Sequence, residues 1–267
     1  MTATAPKAAR WGDLRDRLIS GAAMVVLGIV AIRLGGVWFQ MLAVFVTAVM
    51  IWELARMIRP EADTSAMLLA ALTASVLSGL LATPAGWHLL LLFVPAALGA
   101  LTVPRERLTF FLFALGIVTA GWGLVTFRDI HGGTWLFWLV FVVVVTDILG
   151  YFGGRIIGGP KFWPRVSPKK TWAGIVCGWI GAGGLGALFL TFTDAGRDLI
   201  WISMVLSFAS QMGDVAESAL KRRMGVKDSS ALIPGHGGLF DRFDGLLGAA
   251  LFMLLTALVV EVPEVRL

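Results

Sequence analysis

The chain has 267 residues, of which 58% are apolar and only 15% are charged. Soluble domains contain about 45–50% apolar and about 25% charged residues, so a soluble core could not bury this much apolar surface. The net charge of +5 calls for no nucleic-acid partner, because basic residues beside a bilayer serve as topological anchors. The composition therefore predicts an integral membrane protein in contact with a lipid bilayer.

Apolar runs of membrane-spanning length follow one another along the chain. A helix rises about 1.5 Å per residue, so about 20 residues cross a bilayer core of about 30 Å. These lengths predict an all-α polytopic bundle of about nine transmembrane helices. The predicted runs are Leu18–Leu34, Val37–Ile58, Ala66–Ala82, Trp87–Val103, Leu108–Phe127, Thr134–Phe152, Trp172–Phe192, Leu199–Met212 and Leu246–Val260.

The placement of the basic residues predicts the orientation. With nine spans and the N-terminus in the cytoplasm, 18 of the 22 lysines and arginines fall on the cytoplasmic side. This bias is the one expected for cytoplasmic segments, and it places the C-terminus outside. We divide the chain into a cytoplasmic tail (1–17), a set of N-terminal transmembrane helices (18–130) and a catalytic transmembrane region with cytoplasmic loops (131–267).

The first charged loop, 153–171, follows an acid inside an apolar run. Asp147 comes directly after a valine-rich stretch near the inner end of its helix. A carboxylate at that depth is costly and usually functional, although pairing with Arg155 or capping a neighbouring helix is the alternative. Further along, Lys169 and Lys170 lie between two hydroxyl residues just before a helix begins. Lysines beside a helix N-terminus can form an anion site.

The second charged loop, 213–244, has the more specific pattern. Gln211, Asp214, Ser218 and Lys221 recur at three- and four-residue steps, which predicts that the eighth helix continues beyond its apolar run with one polar face. A loop over 233–238 with three glycines and one proline follows. The alternative is a solvated amphipathic helix with a flexible linker.

These residue types together indicate phosphoryl or nucleotidyl transfer. Carboxylates without a His/Cys cluster suit a hard cation such as Mg²⁺, and lysines with a glycine-rich loop suit phosphate. No Gly-x-x-x-x-Gly-Lys-Ser/Thr loop and no Gly-x-Ser-x-Gly elbow is present. A P-loop NTPase and an acyl transferase with that elbow are therefore excluded.

The 27 residues from Ser218 to Asp244 resemble a known signature. The segment reads Ser-x-Leu-Lys-Arg-x₄-Lys-Asp-x-Ser-x₂-Ile-Pro-Gly-His-Gly-Gly-x₂-Asp-Arg-x-Asp, which is similar to the motif of the phosphatidate cytidylyltransferase (CDP-diacylglycerol synthase) family. Residues 146–155 and 167–171 resemble further family motifs. Gly150 stands where relatives usually carry alanine, and Ala173 where many carry glutamate. The first five helices are similar in hydrophobicity only.

The resemblance implies the reaction of CTP with phosphatidate to give CDP-diacylglycerol and pyrophosphate. It implies Mg²⁺ as the cofactor, with two divalent sites or with one divalent and one monovalent cation, and it implies a possible homodimer. Asp214 and Asp241 would be the principal metal ligands, with Asp244 and Asp147 supporting. The expected catalytic residues are Asp214, Asp241, Asp244 and Lys221, and the expected substrate-binding residues are Ser218, Lys221, Arg222, Lys227, Lys169, His236 and Arg242.

Several alternatives stay open at this point. His236 could contact a phosphate or fix its own loop. Another CTP-dependent membrane enzyme, such as a polyprenol or phytol kinase, would transfer the γ-phosphoryl group instead. A secondary transporter for a phosphorylated solute belongs to a different class, although its polar residues would gather at the midplane rather than at one face. The expected location is the cytoplasmic (inner) membrane, with the active site facing the cytoplasm.

Overall fold

The chain forms a bundle of α-helices with one small β-hairpin. A computed structural model describes residues 7–84, 86–259 and 262–266, with side chains described from Leu18 onward. The all-α prediction is confirmed except for the two-stranded antiparallel hairpin. The elements of the described chain are α1 (Lys7–Leu34), α2 (Gly36–Ile58), α3 (Asp63–Leu81), a 3₁₀ turn (Trp87–Leu92) leading into α4 (Phe93–Thr102), α5 (Arg107–His131), α6 (Gly133–Ile156), β1 (Lys161–Trp163), β2 (Ser167–Thr171), α7 (Trp172–Phe189), α8 (Leu199–Met224) and α9 (Phe240–Thr256).

The helices identify a polytopic membrane protein. Within the described residues, six helices are long and apolar enough to cross a membrane, namely α2, α3, α5, α6, α7 and α8. Two shorter apolar segments cover 18–34 and 87–102, and α9 has 17 residues. The predicted count of nine spans and the orientation of the termini stay predictions. Val260, the end of the predicted ninth run, lies outside the described residues.

Several boundaries differ from the predicted ones. Helix α1 begins at Lys7, so residues 7–17 of the predicted tail are helical, while residues 1–6 lie outside the described part. Helix α6 continues to Ile156, so Gly153 and Arg155 belong to its last turns rather than to a loop. In both places hydropathy marks the expected edge of the bilayer, whereas the backbone hydrogen bonds continue beyond it.

The eighth helix has the form that its polar periodicity predicts. Helix α8 runs unbroken through Gly213 to Met224 and ends at Gly225, which adopts φ 71° as a left-handed C-cap. The Gly225 amide donates to the Arg222 and Lys221 carbonyl oxygens, and this closes the last turn. The polar residues that follow the apolar run therefore project from a rigid helix.

Interior hydrogen bonds fix the rotation of α8 about its axis. Three of its polar side chains are buried and pair with neighbouring helices, so the face that carries them points into the bundle. The pairs are Trp138 Nε1 to Ser203 Oγ at 3.0 Å, Thr146 Oγ1 to Ser207 Oγ at 2.8 Å, and Trp179 Nε1 to Gln211 Oε1 at 3.0 Å. Because Asp214 follows one turn after Gln211, the same face brings it to the end of the bundle beside α6 and α7.

Glycines allow two close helix crossings next to the polar residues. A Cβ on Gly174 of α7 would lie 2.5 Å from the Gly150 carbonyl oxygen of α6. A Cβ on Gly213 of α8 would lie 2.3 Å from the Asp244 carbonyl oxygen of α9. Both crossings therefore require glycine, and the second places Asp244 next to the α8 residue Asp214.

The helices that hold the two predicted regions share one core. Leu220 of α8 and Phe240 of α9 are buried in a cluster with Leu54 of α2 and Phe110 of α5. Outside the bundle, many large apolar side chains are exposed, as expected for surfaces that face lipid.

An ion pair joins α8 to the start of α5. Glu106 accepts hydrogen bonds from the Thr109 hydroxyl at 2.7 Å and from Arg223 Nε at 2.8 Å. These two donors hold the pKa of the Glu106 carboxyl below its ordinary value.

Candidate active site

A buried lysine connects α8 to α9. Lys221 Nζ lies 2.5 Å from Glu217 Oε2 and 2.6 Å from Asp241 Oδ1. The side chains of Lys221, Glu217 and Asp241 are 13%, 1% and 4% exposed, respectively. The Glu217 contact is a charge contact rather than a well-directed hydrogen bond, because neither of its oxygens meets hydrogen-bond geometry. One ammonium group therefore balances two buried carboxylates.

Asp241 is the residue around which the signature loop folds. Its Oδ2 accepts hydrogen bonds from the Ser229 amide, the Ser229 hydroxyl and the Gly238 amide, each at 2.8 Å. Burial alone would raise the pKa of the Asp241 carboxyl, but Lys221 and these three donors hold it below its ordinary value. The two ends of the loop are thus tied to one ionised carboxylate in the first turn of α9, ahead of the apolar run that begins at Leu246.

The hairpin brings the first charged loop to the second. Lys170 Nζ on β2 lies 2.6 Å from Asp214 Oδ2 and donates to the Gln211 carbonyl at 3.3 Å. The two charged segments therefore meet at this contact. The lysine that makes it is Lys170, whereas Lys169, the predicted phosphate ligand, is exposed.

Three of the predicted metal ligands form one acidic group. Asp147 of α6, Asp214 of α8 and Asp244 of α9 are close enough to repel one another electrostatically. Asp244 Oδ1 accepts the Gly245 amide at 2.8 Å, and Asp214 Oδ1 accepts the Ser218 hydroxyl at 3.1 Å. Such repulsion would be relieved by a bound cation, and oxygen donors are the ligands that Mg²⁺ prefers.

Asp241 fits a metal less readily than these three acids, because protein donors already occupy both of its oxygens. Across the described ranges, no three His, Cys, Asp or Glu residues are arranged as a ready coordination shell. Metal binding by Asp147, Asp214, Asp241 and Asp244 therefore stays a prediction.

The remaining predicted site residues surround this centre. Arg222, Lys227 and Arg242 are exposed, and Arg242 Nε donates to the His236 carbonyl at 3.0 Å. His236 Nδ1 lies 2.8 Å from the Ser20 hydroxyl of α1, an arrangement that favours the loop-fixing role for its ring. Phosphate binding by these residues stays a prediction.

Sequence reasoning missed four residues of the site. Lys170 lies inside a quoted motif and Glu217 directly precedes the signature, but only pairing distances single them out. Ser229 lies one position before the serine of the signature. Glu53, on α2, contacts the signature loop from the other half of the chain and had one sequence signal, an acid inside an apolar run.

The geometry of the bundle and of the site defines the class of the protein. It is a polytopic membrane protein whose helices bring carboxylates, lysines and a glycine-rich loop together at one end of an apolar bundle.

The chain belongs to the cytidylyltransferase family, because residues 15–260 match the profile of the Cytidylyltransferase family. It is 34% identical over 263 residues to a phosphatidate cytidylyltransferase of Brucella abortus biovar 1 (strain 9-941), covering 95% of this chain and 96% of that protein. The phosphatidate cytidylyltransferase of Bacillus subtilis (strain 168) is 40% identical over 122 residues, 45% of each chain. That of Haemophilus influenzae (strain ATCC 51907 / DSM 11121 / KW20 / Rd) is 43% identical over 133 residues, 47% of this chain and 46% of that protein.

Proposed function

We propose that this protein is a CTP-dependent nucleotidyltransferase that converts CTP and phosphatidate into CDP-diacylglycerol and pyrophosphate for phospholipid synthesis. The observation that carries the proposal is the similarity to phosphatidate cytidylyltransferases along 95% of the chain. The site agrees chemically, since nucleotidyl transfer depends mostly on positioning and on neutralising phosphate charge.

The reaction needs no nucleophile from the protein. An oxygen of the phosphatidate monoester attacks the α-phosphorus of CTP, a new P–O bond forms, and the bond from the α-phosphorus to the bridging oxygen breaks. Pyrophosphate leaves with that oxygen. The protein must hold the two substrates in line and offset the repulsion between their charges.

Basic residues at the rim of the site are suited to that task. Lys169, Arg222, Lys227 and Arg242 are exposed and would hold phosphate oxygens. Lys221 would bind a phosphate oxygen if the substrate displaced its ammonium group from Asp241, and the Ser218 hydroxyl would donate one hydrogen bond to a phosphate. An apolar cavity of about 200 Å³ between α5, α8 and α9 reaches Glu217 and Asp244, which supports a substrate with a lipid part.

The acidic group would supply the cofactor site. Asp214, Asp244 and Asp147 would hold Mg²⁺, and Asp241 would join them only by releasing Lys221 and Ser229. A bound divalent cation would neutralise phosphate charge and favour departure of pyrophosphate. A second divalent or monovalent cation remains part of the proposal.

The deciding experiment follows the two ends of the CTP triphosphate. Purified protein is incubated with Mg²⁺, phosphatidate and CTP labelled at the α- or γ-phosphate, and the lipid products are then separated. Cytidylyl transfer places the α-label in lipid and releases the γ-label as pyrophosphate. Transfer of the γ-label to a lipid alcohol would instead indicate a kinase. Counterflow of a phosphorylated solute in liposomes, without consumption of nucleotide, would indicate a transporter.

The proposed orientation has nine crossings, the N-terminus and the active site in the cytoplasm, where CTP is available, and the C-terminus outside. It is supported by the asymmetry of the basic residues. The chain has a single cysteine, Cys177, so a Cys177→Ser background permits labelling of Glu61→Cys and Asp194→Cys. A membrane-impermeant thiol reagent added to intact cells should label position 194 and not position 61. Homodimer formation is tested by measuring the mass of the detergent-purified protein.

A further inference from the structure

A buried acid of α2 contacts the signature loop. Glu53 is 0% exposed and lies inside the apolar span Gly36–Ile58. Among the described side chains no lysine or arginine forms an ion pair with it. A carboxylate in this position is costly unless several hydrogen-bond donors compensate its charge.

The donors to Glu53 come from the loop and from the start of α9. Oε1 accepts the Ser230 hydroxyl at 2.7 Å and the Leu239 amide at 2.9 Å, and Oε2 accepts the Phe240 amide at 2.7 Å. The last two amides belong to the N-terminus of α9, where backbone N–H groups have no partner within the helix. Glu53 therefore caps α9 from a different helix, and the α9 dipole favours the negative charge there.

The second glycine of the Gly237-Gly238 pair is required by this contact. A Cβ on Gly238 would lie 2.3 Å from Glu53 Oε1 and 2.1 Å from Ser229 Oγ. Only a residue without a side chain leaves the carboxylate room to reach the amides of α9. The glycine of the signature and the acid of α2 thus depend on one another.

Glu53 and Asp241 hold the same loop from opposite sides. Ser229 Oγ lies 2.8 Å from Asp241 Oδ2 and 3.5 Å from Glu53 Oε2, so its single proton goes to Asp241. Glu53 is left with the neighbouring serine and the helix amides, while Asp241 takes Ser229 and Gly238. Two carboxylates therefore fix the position of α9's first turn, which carries Asp241 and, one turn later, Asp244.

We propose that Glu53 is a positioning residue for nucleotidyl transfer: it anchors residues 229–240 so that Asp241 and Asp244 are held at the geometry the reaction needs. This inference rests on the proposed function for its kinetic part, whereas the anchoring itself rests on the contacts alone.

The central variant is Glu53→Gln, which keeps the shape of the side chain but replaces one acceptor oxygen with a donor. That NH₂ group would face an N–H or O–H donor, so at least one contact is lost. We expect kcat to fall by about tenfold to a hundredfold, because a displacement of about 1 Å has effects of that size. The KM values for CTP and phosphatidate should stay within about threefold. The displaced groups stabilise the transition state, so their displacement lowers kcat and affects ground-state binding of the substrates much less.

Hydrogen exchange followed by mass spectrometry measures the anchor directly. In Glu53→Gln, amides of residues 229–243 should exchange about tenfold faster, whereas those of the hairpin, residues 161–171, should be unchanged. Glu61→Gln is the matched control, because Glu61 is exposed just past the end of α2 and pairs with the partly exposed Arg59 at 3.1 Å. It should behave as the parent in both assays.

Ser230→Ala provides a milder variant if Glu53→Gln does not fold. It removes one donor to Glu53 and leaves the bonds of Asp241 in place, so a smaller change in the same direction is expected. The double variant should lose less than the sum of the two single variants, because both changes remove hydrogen bonds from the same carboxylate.

Three results would overturn the inference. The first is parental kcat and parental exchange in Glu53→Gln, and the second is faster exchange throughout the protein, which would make Glu53 a general stability residue. The third is full additivity of the two single variants. If the parent forms no CDP-diacylglycerol, the proposed function fails, and local exchange over 229–243 alone decides whether the anchor exists.

Discussion

Replacing Lys221 with methionine tests the charge balance at the centre of the site. Methionine has a similar length but no charge, so Glu217 and Asp241 would both lose their ammonium partner. At 2.6 Å and an effective dielectric constant of about 20, one such contact corresponds to about 6 kcal/mol of Coulomb attraction. Desolvation of the three groups offsets most of the total from the two contacts, and removing one partner of a buried pair typically costs about 3–5 kcal/mol.

The expected result is a loss of about 3–5 kcal/mol in the free energy of unfolding of Lys221→Met. Reversible unfolding by a denaturing detergent in mixed micelles measures it. The double variant Lys221→Met/Glu217→Gln should recover part of the loss, because one of the two unpaired charges is gone. Lys161→Met is the control, since Lys161 is exposed on β1 and its removal should change stability by less than about 0.5 kcal/mol.

Equal stability of Lys221→Met and the parent would refute the reasoning, since it would mean that the two acids do not depend on the ammonium group. Failure of Glu217→Gln to restore any stability in the double variant would refute the assignment of the cost to unpaired carboxylates. Both results concern folding, so they stand whether or not Lys221 also binds a phosphate.

Three further predictions concern separate parts of the protein. Asp214→Asn should abolish cytidylyl transfer while changing unfolding by no more than about 1 kcal/mol, because its ion pair is partly exposed; near-normal product formation would contradict its assignment as a metal ligand. Gly174→Ala should reduce the amount of folded protein in membranes, because its Cβ would lie 2.5 Å from a backbone oxygen. Gly150→Ala is the control and should be tolerated, because a Cβ there would lie 3.4 Å from the nearest backbone oxygen. Equal yields of the two variants would contradict the close crossing. Because the pKa of Glu106 is held below its ordinary value, its ion pair stabilises the fold above the ordinary glutamate pKa and ceases to do so as pH falls through the lowered value. Unfolding measured across acidic pH should show a step that Glu106→Gln lacks, and an identical profile would contradict the contact.

Periodicity predicted the part of the site that lies on one helix. The three- and four-residue steps from Gln211 to Lys221 place the polar groups on one face, and α8 carries them as expected. Periodicity could not decide which of the adjacent residues Lys169 and Lys170 contacts Asp214. Residues on a strand alternate between faces, so β2 turns Lys170 to Asp214 and leaves Lys169 exposed. A hairpin of three- and five-residue strands has too little pattern to be recognised between two apolar helices.

Glu53 could not be assigned a role for a different physical reason. Its partners Leu239 and Phe240 are separated from it by 186 and 187 residues, and they offer backbone amides, which carry no sequence signal. An isolated acid in an apolar run indicates function without naming a partner. The long-range geometry of the bundle supplies the missing information.

The contacts of α2 and α5 bear on the division of the chain into anchoring and catalytic regions. Glu53 caps α9, Glu106 pairs with the end of α8, and Phe240 packs into the core that α2 and α5 share. Each contact joins a residue before position 131 to the segment that carries the signature. The orphan amides of α9 would have no acceptor if α2 were absent, and a buried N–H without a partner costs about 1–3 kcal/mol. The N-terminal helices therefore form part of the structure that shapes the site. The signature residues alone account for the chemistry of the site, whereas its geometry also depends on α2 and α5.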